Sequence, residues 1–177
     1  EEIRQLGIDP YPAAMYEITH TAREITERFE KNEEDDGLKD VSLAGRIMTR
    51  RIMGKASFAE LQDESGRIQI YLQRDDICQG EDKTLYNTVF KKLLDIGDFI
   101  GVRGFVFRTR MGEISIHVRE LVILSKSIRP LPIVKEKDGK TFHNVSDPDF
   151  RYRQRYVDLI VNPEVREVFR KRTEIYR

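Results

Sequence analysis

A ring, an amide, a carboxylate and a group of cations are the residues of this sequence whose types and spacing suit a chemistry. In Ala56 to Asp63 the apolar Ala59 and Leu61 share one parity, so an extended strand sends Phe58 to the other face, beside Glu60 and Gln62. Phe58 is therefore expected in solvent. In Arg67 to Gln73 the same rule turns Ile68, Ile70 and Leu72 inward and Gln69, Tyr71 and Gln73 outward, with Asp63-Glu64-Ser65-Gly66 as the turn between the strands. Pairing Leu61 with Ile68 sets Phe58 opposite Tyr71 and diagonal to Gln69. A stacking ring beside an amide that both donates and accepts suits an unpaired nucleobase. Arg50, Arg51 and Lys55 lie just upstream, where cations can follow phosphates, and Glu113 in a later hairpin can accept from an imino or amino group. The competing reading is an aromatic covered by the N-terminal helix or a partner chain, next to a basic loop that is merely solvated.

Other constellations carry less. His20, His117 and His143 fall in different segments, and His20 reads as a surface or capping histidine. Neither GxxxxGK[ST] nor GxGxxG occurs, no Ser or Cys carries a nucleophile motif, and Asp75-Asp76 reads as a solvated pair. Cys78 is the one cysteine, which excludes an internal disulfide, fits a reducing compartment and reads as a semi-buried filler. No catalytic residue and no metal site are expected in this stretch.

These groups need elements to position them. Met15, Ile18, Ala22, Ile25 and Phe29 at spacings of three and four predict an amphipathic helix over 11–31, with a break allowed at Thr19-His20-Thr21, and Asn32 to Gly37 ends it as an acidic turn. Val41 to Thr49 reads as a strand with Gly45 at a bulge or coil, followed by a basic connection through Lys55. Residues 75–83 read as a polar connection and Leu85 to Leu94 as a helix; Phe99 to Arg108 and Ile114 to Leu124 are the last strands. Three strands, a helix and two strands form a five-stranded OB-fold barrel, so the chain is mainly β. The expected division is a helical extension over 1–39, the barrel over 40–126, a Pro- and Gly-containing linker over 127–148 and helices over 149–177. Asn162-Pro163 should start the last helix, with Asn as cap.

The charge totals mislead unless divided. The 177 residues hold 31 basic and 31 acidic side chains, yet residues 1–40 hold 5 and 12, residues 41–127 hold 14 and 11, and residues 128–177 hold 12 and 8. A polyanion can dock on the part after residue 40. No apolar run approaches a membrane span, and EEIRQLGIDP has neither a basic nor an apolar leader segment, so a cytoplasmic protein is expected.

AGRIMTRRIMGKASFAELQD, GRIQIYLQRDD, GDFIGVRGFVFRTRMGEISIHV, the SIRPLP linker and RYRQRYVDLI together resemble the N-terminal anticodon-binding region of class II lysyl-tRNA synthetases, from Gly7 onward. Aspartyl- and asparaginyl-tRNA synthetases share the barrel, but MGKASF, the PLP linker and RYRQRYVDL are similar to the lysyl enzymes. The resemblance implies a reader of the uridine-rich anticodon of tRNA(Lys). Phe58 falls on the ring that stacks on the central base, Gln69, Arg51 and Glu113 on its polar partners, and His117 is a further anticodon residue; Arg50 and Lys55 are phosphate candidates. The helix from Pro163 resembles the start of the motif 1 that builds the homodimer interface and opens a class II catalytic domain. ATP, Mg2+ and L-lysine belong to the complete enzyme, and the sequence given, without motifs 2 and 3, is expected to be inactive and to hold no cofactor. A non-enzymatic OB module for unspecific single strands, and a dimer-forming fragment, are the alternatives from other classes.

Overall fold

A computed structural model of the chain describes residues 1–129, 131–132, 135–137, 140–142 and 147–177. It forms two compact units, Glu1–Pro130 and Leu131–Arg177. The first begins with α1 (Glu2–Gln5) and α2 (Ala22–Lys31), the latter started by a capping box in which Thr21 and Glu24 bond each other's backbone N–H. The predicted helix over 11–31 is thus only half formed. Residues 12–20 are not helical: the Thr19 N–H donates to the Ser42 carbonyl at 3.0 Å and the Ser42 N–H to Thr19 Oγ1 at 2.8 Å. Met15 is 89% exposed, so its spacing to Ile18 marks no buried face, whereas Ile25 and Phe29 are buried. His20 bonds Thr19 Oγ1 and Arg28, as a surface histidine would.

Five strands follow: β1 (Val41–Met53), β2 (Ala56–Gln62), β3 (Arg67–Gln73), β4 (Phe99–Arg108) and β5 (Ile114–Ser125). They close into a barrel in the order β1-β2-β3-β5-β4. β1 is long enough to pair with β4 through Val41 to Arg46 and with β2 through Arg46 to Met53. The basic connection expected over 49–55 is therefore mostly strand, and the turn shrinks to Gly54-Lys55, with Gly54 at φ 64°. The irregularity lies between Ile47 and Thr49 rather than at Gly45. Gly45 instead permits close approach, since a Cβ there would sit 3.1 Å from the Gln62 carbonyl oxygen and from Leu61 Cβ. Leu61 pairs with Ile68 and Phe58 with Tyr71, the register that alternation predicts.

Leu43, Ile47, Leu61, Ile70, Leu72, Ile100, Ile116 and Val118 fill the barrel. The stretch expected as a polar connection contains a short helix, α3 (Arg74–Ile77), and the next segment winds as a π-helix over Leu85–Leu93 that buries Tyr86, Val89 and Phe90. Arg50 closes its end, Nη1 donating to the carbonyls of Phe90 and Leu94. Gly104 matters where β4 meets β5, since a Cβ there would overlap the His117 carbonyl.

In the second unit β6 (Lys135–Lys137) and β7 (Lys140–Phe142) pair antiparallel inside the expected linker, whose Pro130 and Gly139, like His143, lie outside the described residues. The helix expected from Asp147 is broken at Gln154 into α4 (Pro148–Arg153) and α5 (Arg155–Val161), and α6 (Pro163–Tyr176) follows. Asn162 is the residue before α6 but does not cap it with its side chain. Its Nδ2 donates to Asp158 Oδ1 at 2.6 Å. Asp158 is fully buried and also receives Arg151 Nε at 3.0 Å and Arg155 Nη1 at 2.5 Å. Burial pushes this carboxyl up, but the bonds from Asn162 and Arg151 and the two guanidinium charges outweigh it, and its pKa is lowered. Among the described residues no helix is long and apolar enough to cross a membrane.

Gly104→Ala is expected to lower stability by about 2 kcal/mol or more, because backbone cannot yield as a side chain would; Gly66→Ala, with nothing within 4 Å of the new methyl, should change it by less than about 0.5 kcal/mol. Urea unfolding of the pair checks this. Because the Asp158 carboxyl titrates lower when folded, its contribution is complete above the ordinary carboxylate range and is lost as pH falls through the depressed value. Asp158→Asn should cost about 1–3 kcal/mol at neutral pH and flatten the acid dependence of the helical circular dichroism signal. Equal acid dependence in both proteins would assign it to other carboxylates.

Candidate nucleic-acid interface

Strand alternation that fills the barrel inside builds a row of side chains outside. Arg51 on β1 pairs with Phe58 on β2, Phe58 with Tyr71 on β3, Tyr71 with His117 on β5, and His117 with Phe105 on β4. The rings touch in succession: Phe58 to Tyr71 at 5.1 Å between centroids, Tyr71 to His117 at 5.0 Å, and His117 stacked on Phe105 at 4.8 Å. Phe107 joins beside Tyr71 at 5.9 Å, and the Arg119 guanidinium lies 4.9 Å from the Phe105 centroid.

Phe58 is on the outer face, as expected, but it is half-buried rather than fully in water, because it leans on Tyr71. It lines a hollow of about 340 Å3 together with Arg51, Gln69, Glu113, Thr49 and Met111. Four of the residues singled out from the sequence thus surround one concavity. Gln69 Nε2 donates to Glu113 Oε2 at 2.7 Å, so the amide and the carboxylate stand together. The hairpin holds Glu113: the Thr109 N–H donates to its carbonyl at 2.9 Å, and its N–H donates to Thr109 Oγ1 at 3.1 Å. The arrangement offers a ring face, a hydrogen-bond donor, an acceptor and a guanidinium within one base-sized space.

Two singled-out residues sit elsewhere. His117 is in the row but not in this hollow; its Nε2 lies 2.6 Å from Asp76 Oδ2, in a second concavity of about 390 Å3 shared with Gln79 and Arg119. Arg50 points the opposite way from Arg51. Its guanidinium is committed to the carbonyls at the end of the π-helix, which corrects its expected place among the phosphate contacts. Arg51 and Lys55 are exposed. Phe105 and Phe107 are not among the residues singled out from the sequence, although alternation in FIGVRGFVFR, with Ile100, Val102 and Val106 buried, carries that signal. Met111 and Thr109 join through the hairpin, which has no periodic signature. Among the described residues no group of three or more His, Cys, Asp or Glu is placed to hold a metal ion.

The chain is 62% identical over 176 residues to a lysine–tRNA ligase of Porphyromonas gingivalis, a match that covers 99% of this chain and 30% of that protein. It is 58% identical to a lysine–tRNA ligase of Azobacteroides pseudotrichonymphae, over 99% of this chain and 35% of that protein, and 54% identical to one of Christiangramia forsetii, over 98% and 30%. The chain therefore spans about a third of the length of these relatives. Residues 41–124, which are the five strands and the helices between them, match the tRNA anti-codon family model and belong to its OB-fold nucleic acid binding domains, carried here in a chain similar from end to end to a part of lysine–tRNA ligases.

Proposed function

We propose that the barrel binds the anticodon loop of tRNA(Lys), with the central base stacked on Phe58 and its polar edge read by Gln69, Glu113 and Arg51. The observation that carries this reading is the convergence of Phe58, Gln69, Glu113 and Arg51 on one hollow. Lys55 and Arg51 lie where the loop phosphates would pass, and His117 contacts a flanking nucleotide from the neighbouring concavity. In the full-length protein this recognition serves a class II lysine–tRNA ligase, a cytoplasmic homodimer in which α6 contributes to the subunit contact. Lysine activation with ATP and Mg2+, and transfer to the tRNA 3′ end, are steps to which none of the described residues is assigned.

Phe58→Ala is expected to weaken binding of a fluorescent tRNA(Lys) anticodon stem-loop by about 1–3 kcal/mol per lost stack, while Phe58→Trp retains most of the affinity. Equal binding by the alanine variant would refute the platform. Charge provides a separate check. Replacing Arg51 or Lys55 by alanine should reduce the slope of log K against log salt by about 0.7 for each phosphate that the cation had neutralised. Arg50→Ala should leave that slope unchanged and lower the melting temperature instead, because its guanidinium holds the end of the π-helix.

A further inference from the structure

We propose that Ser115 is a positioning residue which fixes the way round that Gln69 presents its amide, and thereby makes the hollow beside Phe58 select a keto over an amino group on the base. The proposal rests on the nucleobase reading above and adds to it the residue that sets selectivity.

Ser115 is the register partner of Gln69 in the parallel β3–β5 pair. It has the parity of Tyr71 and His117, the outer face, yet it is fully buried. A buried hydroxyl has to find a hydrogen-bond partner. Here Ser115 Oγ donates to Gln69 Oε1 at 2.9 Å. At the other end of the same amide Nε2 donates to Glu113 Oε2 at 2.7 Å, and a carboxylate can only accept. A side-chain amide turns through half a revolution about its last bond at little cost unless its two ends meet different partners. A hydroxyl on the oxygen and a carboxylate on the nitrogen are such partners, so the amide is locked. Its second N–H is then the group left for a ligand.

A fixed donor discriminates where a rotating amide does not. Opposite a base carbonyl the N–H makes a hydrogen bond; opposite an exocyclic amino group it meets another donor. Uracil and cytosine are nearly the same shape and differ by one such keto–amino exchange, so the pair isolates the effect. Glu113 alone does not keep the lock. Once a base donates its imino proton to Glu113, the carboxylate's hold on Nε2 weakens, and the bond from Ser115 is what keeps the oxygen turned away.

The test titrates the wild-type chain and its variants with anticodon stem-loops carrying UUU or UCU, with melting curves to confirm folding. The wild type is expected to prefer UUU by about tenfold or more, the scale of one hydrogen bond gained against one donor clash. Ser115→Ala should bring the preference to within about threefold, while affinity for UUU falls by less than the preference does. Ser115→Thr, which keeps the hydroxyl, should restore it. Gln69→Met removes the amide without touching Ser115 and should lose the preference in the same way, which keeps the idea testable if Ser115→Ala folds poorly. Phe58→Ala should weaken both loops alike. An unchanged UUU preference in Ser115→Ala or in Gln69→Met, with Phe58→Ala weakened, would overturn the role of Ser115 and leave the stacking reading standing. Wild-type binding of both loops by Phe58→Ala would instead remove the reading beneath it.

Discussion

The parallel pairing of β3 with β5 is the constraint on which the rest of this structure depends, because it closes the barrel and joins two antiparallel halves into one outer face. Residues as far apart in sequence as Arg51 and His117 become neighbours in a single row only through that closure. What holds the register is inside. A slip of one residue would turn Ile68, Ile70 and Leu72 to solvent and bring Gln69 and Tyr71 into the core. Each fully buried aliphatic side chain is worth about 1.5–3 kcal/mol, against about 0.5–1.5 kcal/mol for an aromatic pair on the outer face. Burial decides, and the recognition side chains are carried by it. Gly104 belongs to the same constraint, since β4 approaches the His117 backbone there more closely than any side chain allows.

The half-burial of Phe58 follows from the same geometry and improves the site. A ring standing free in water would sample its rotamers and lose that freedom when a base arrived. Leaning on Tyr71 removes part of it in the empty protein, so less ordering remains for binding. Gln69 and Glu113 are treated alike, one held by Ser115 and the other by the 109–113 turn. The site is built as a rigid face with polar groups already aimed.

The β2–β3 hairpin is legible to the residue because only one of its faces is buried, so alternation and register carry the same information. The outward aromatics of β4 are written in the same code but interrupted by glycines, which have no side chain to assign to a face. Residues 12–20 mislead for the opposite reason: Met15 and Ile18 fall at helical spacing by coincidence, while backbone bonds to Ser42 hold the segment extended. Asn162 has the sequence of a helix cap, but the buried Asp158 carboxylate competes for its amide and wins, since a charged acceptor without donors is costlier than an uncapped helix end. Arg50 shows the limit most sharply. Parity separates it from Arg51, yet where its guanidinium ends depends on carbonyls about forty residues away.

Pairing also explains how a chain with equal numbers of acidic and basic residues can present a cationic edge. Arg28 is held by Asp35, Arg67 by Glu60, Arg103 by Asp40 and Arg108 by Glu33. Exposed pairs of this kind add little stability, about 0–1 kcal/mol each, but each cancels a cation's field within a few ångströms. Arg51, Lys55 and Arg110 are exposed and form no ion pair among the described residues. Arg51 lines the hollow beside Phe58, Lys55 sits in the β1–β2 turn, and Arg110 lies between the lining residues Thr109 and Met111. With screening over about 8 Å at physiological salt, a phosphate approaching that edge responds to these three and not to the total. The acidic N-terminal segment therefore does not weaken the interface; by engaging arginines elsewhere on the barrel, as Glu33 and Asp40 do, it leaves the basic edge as the place where a polyanion is drawn in.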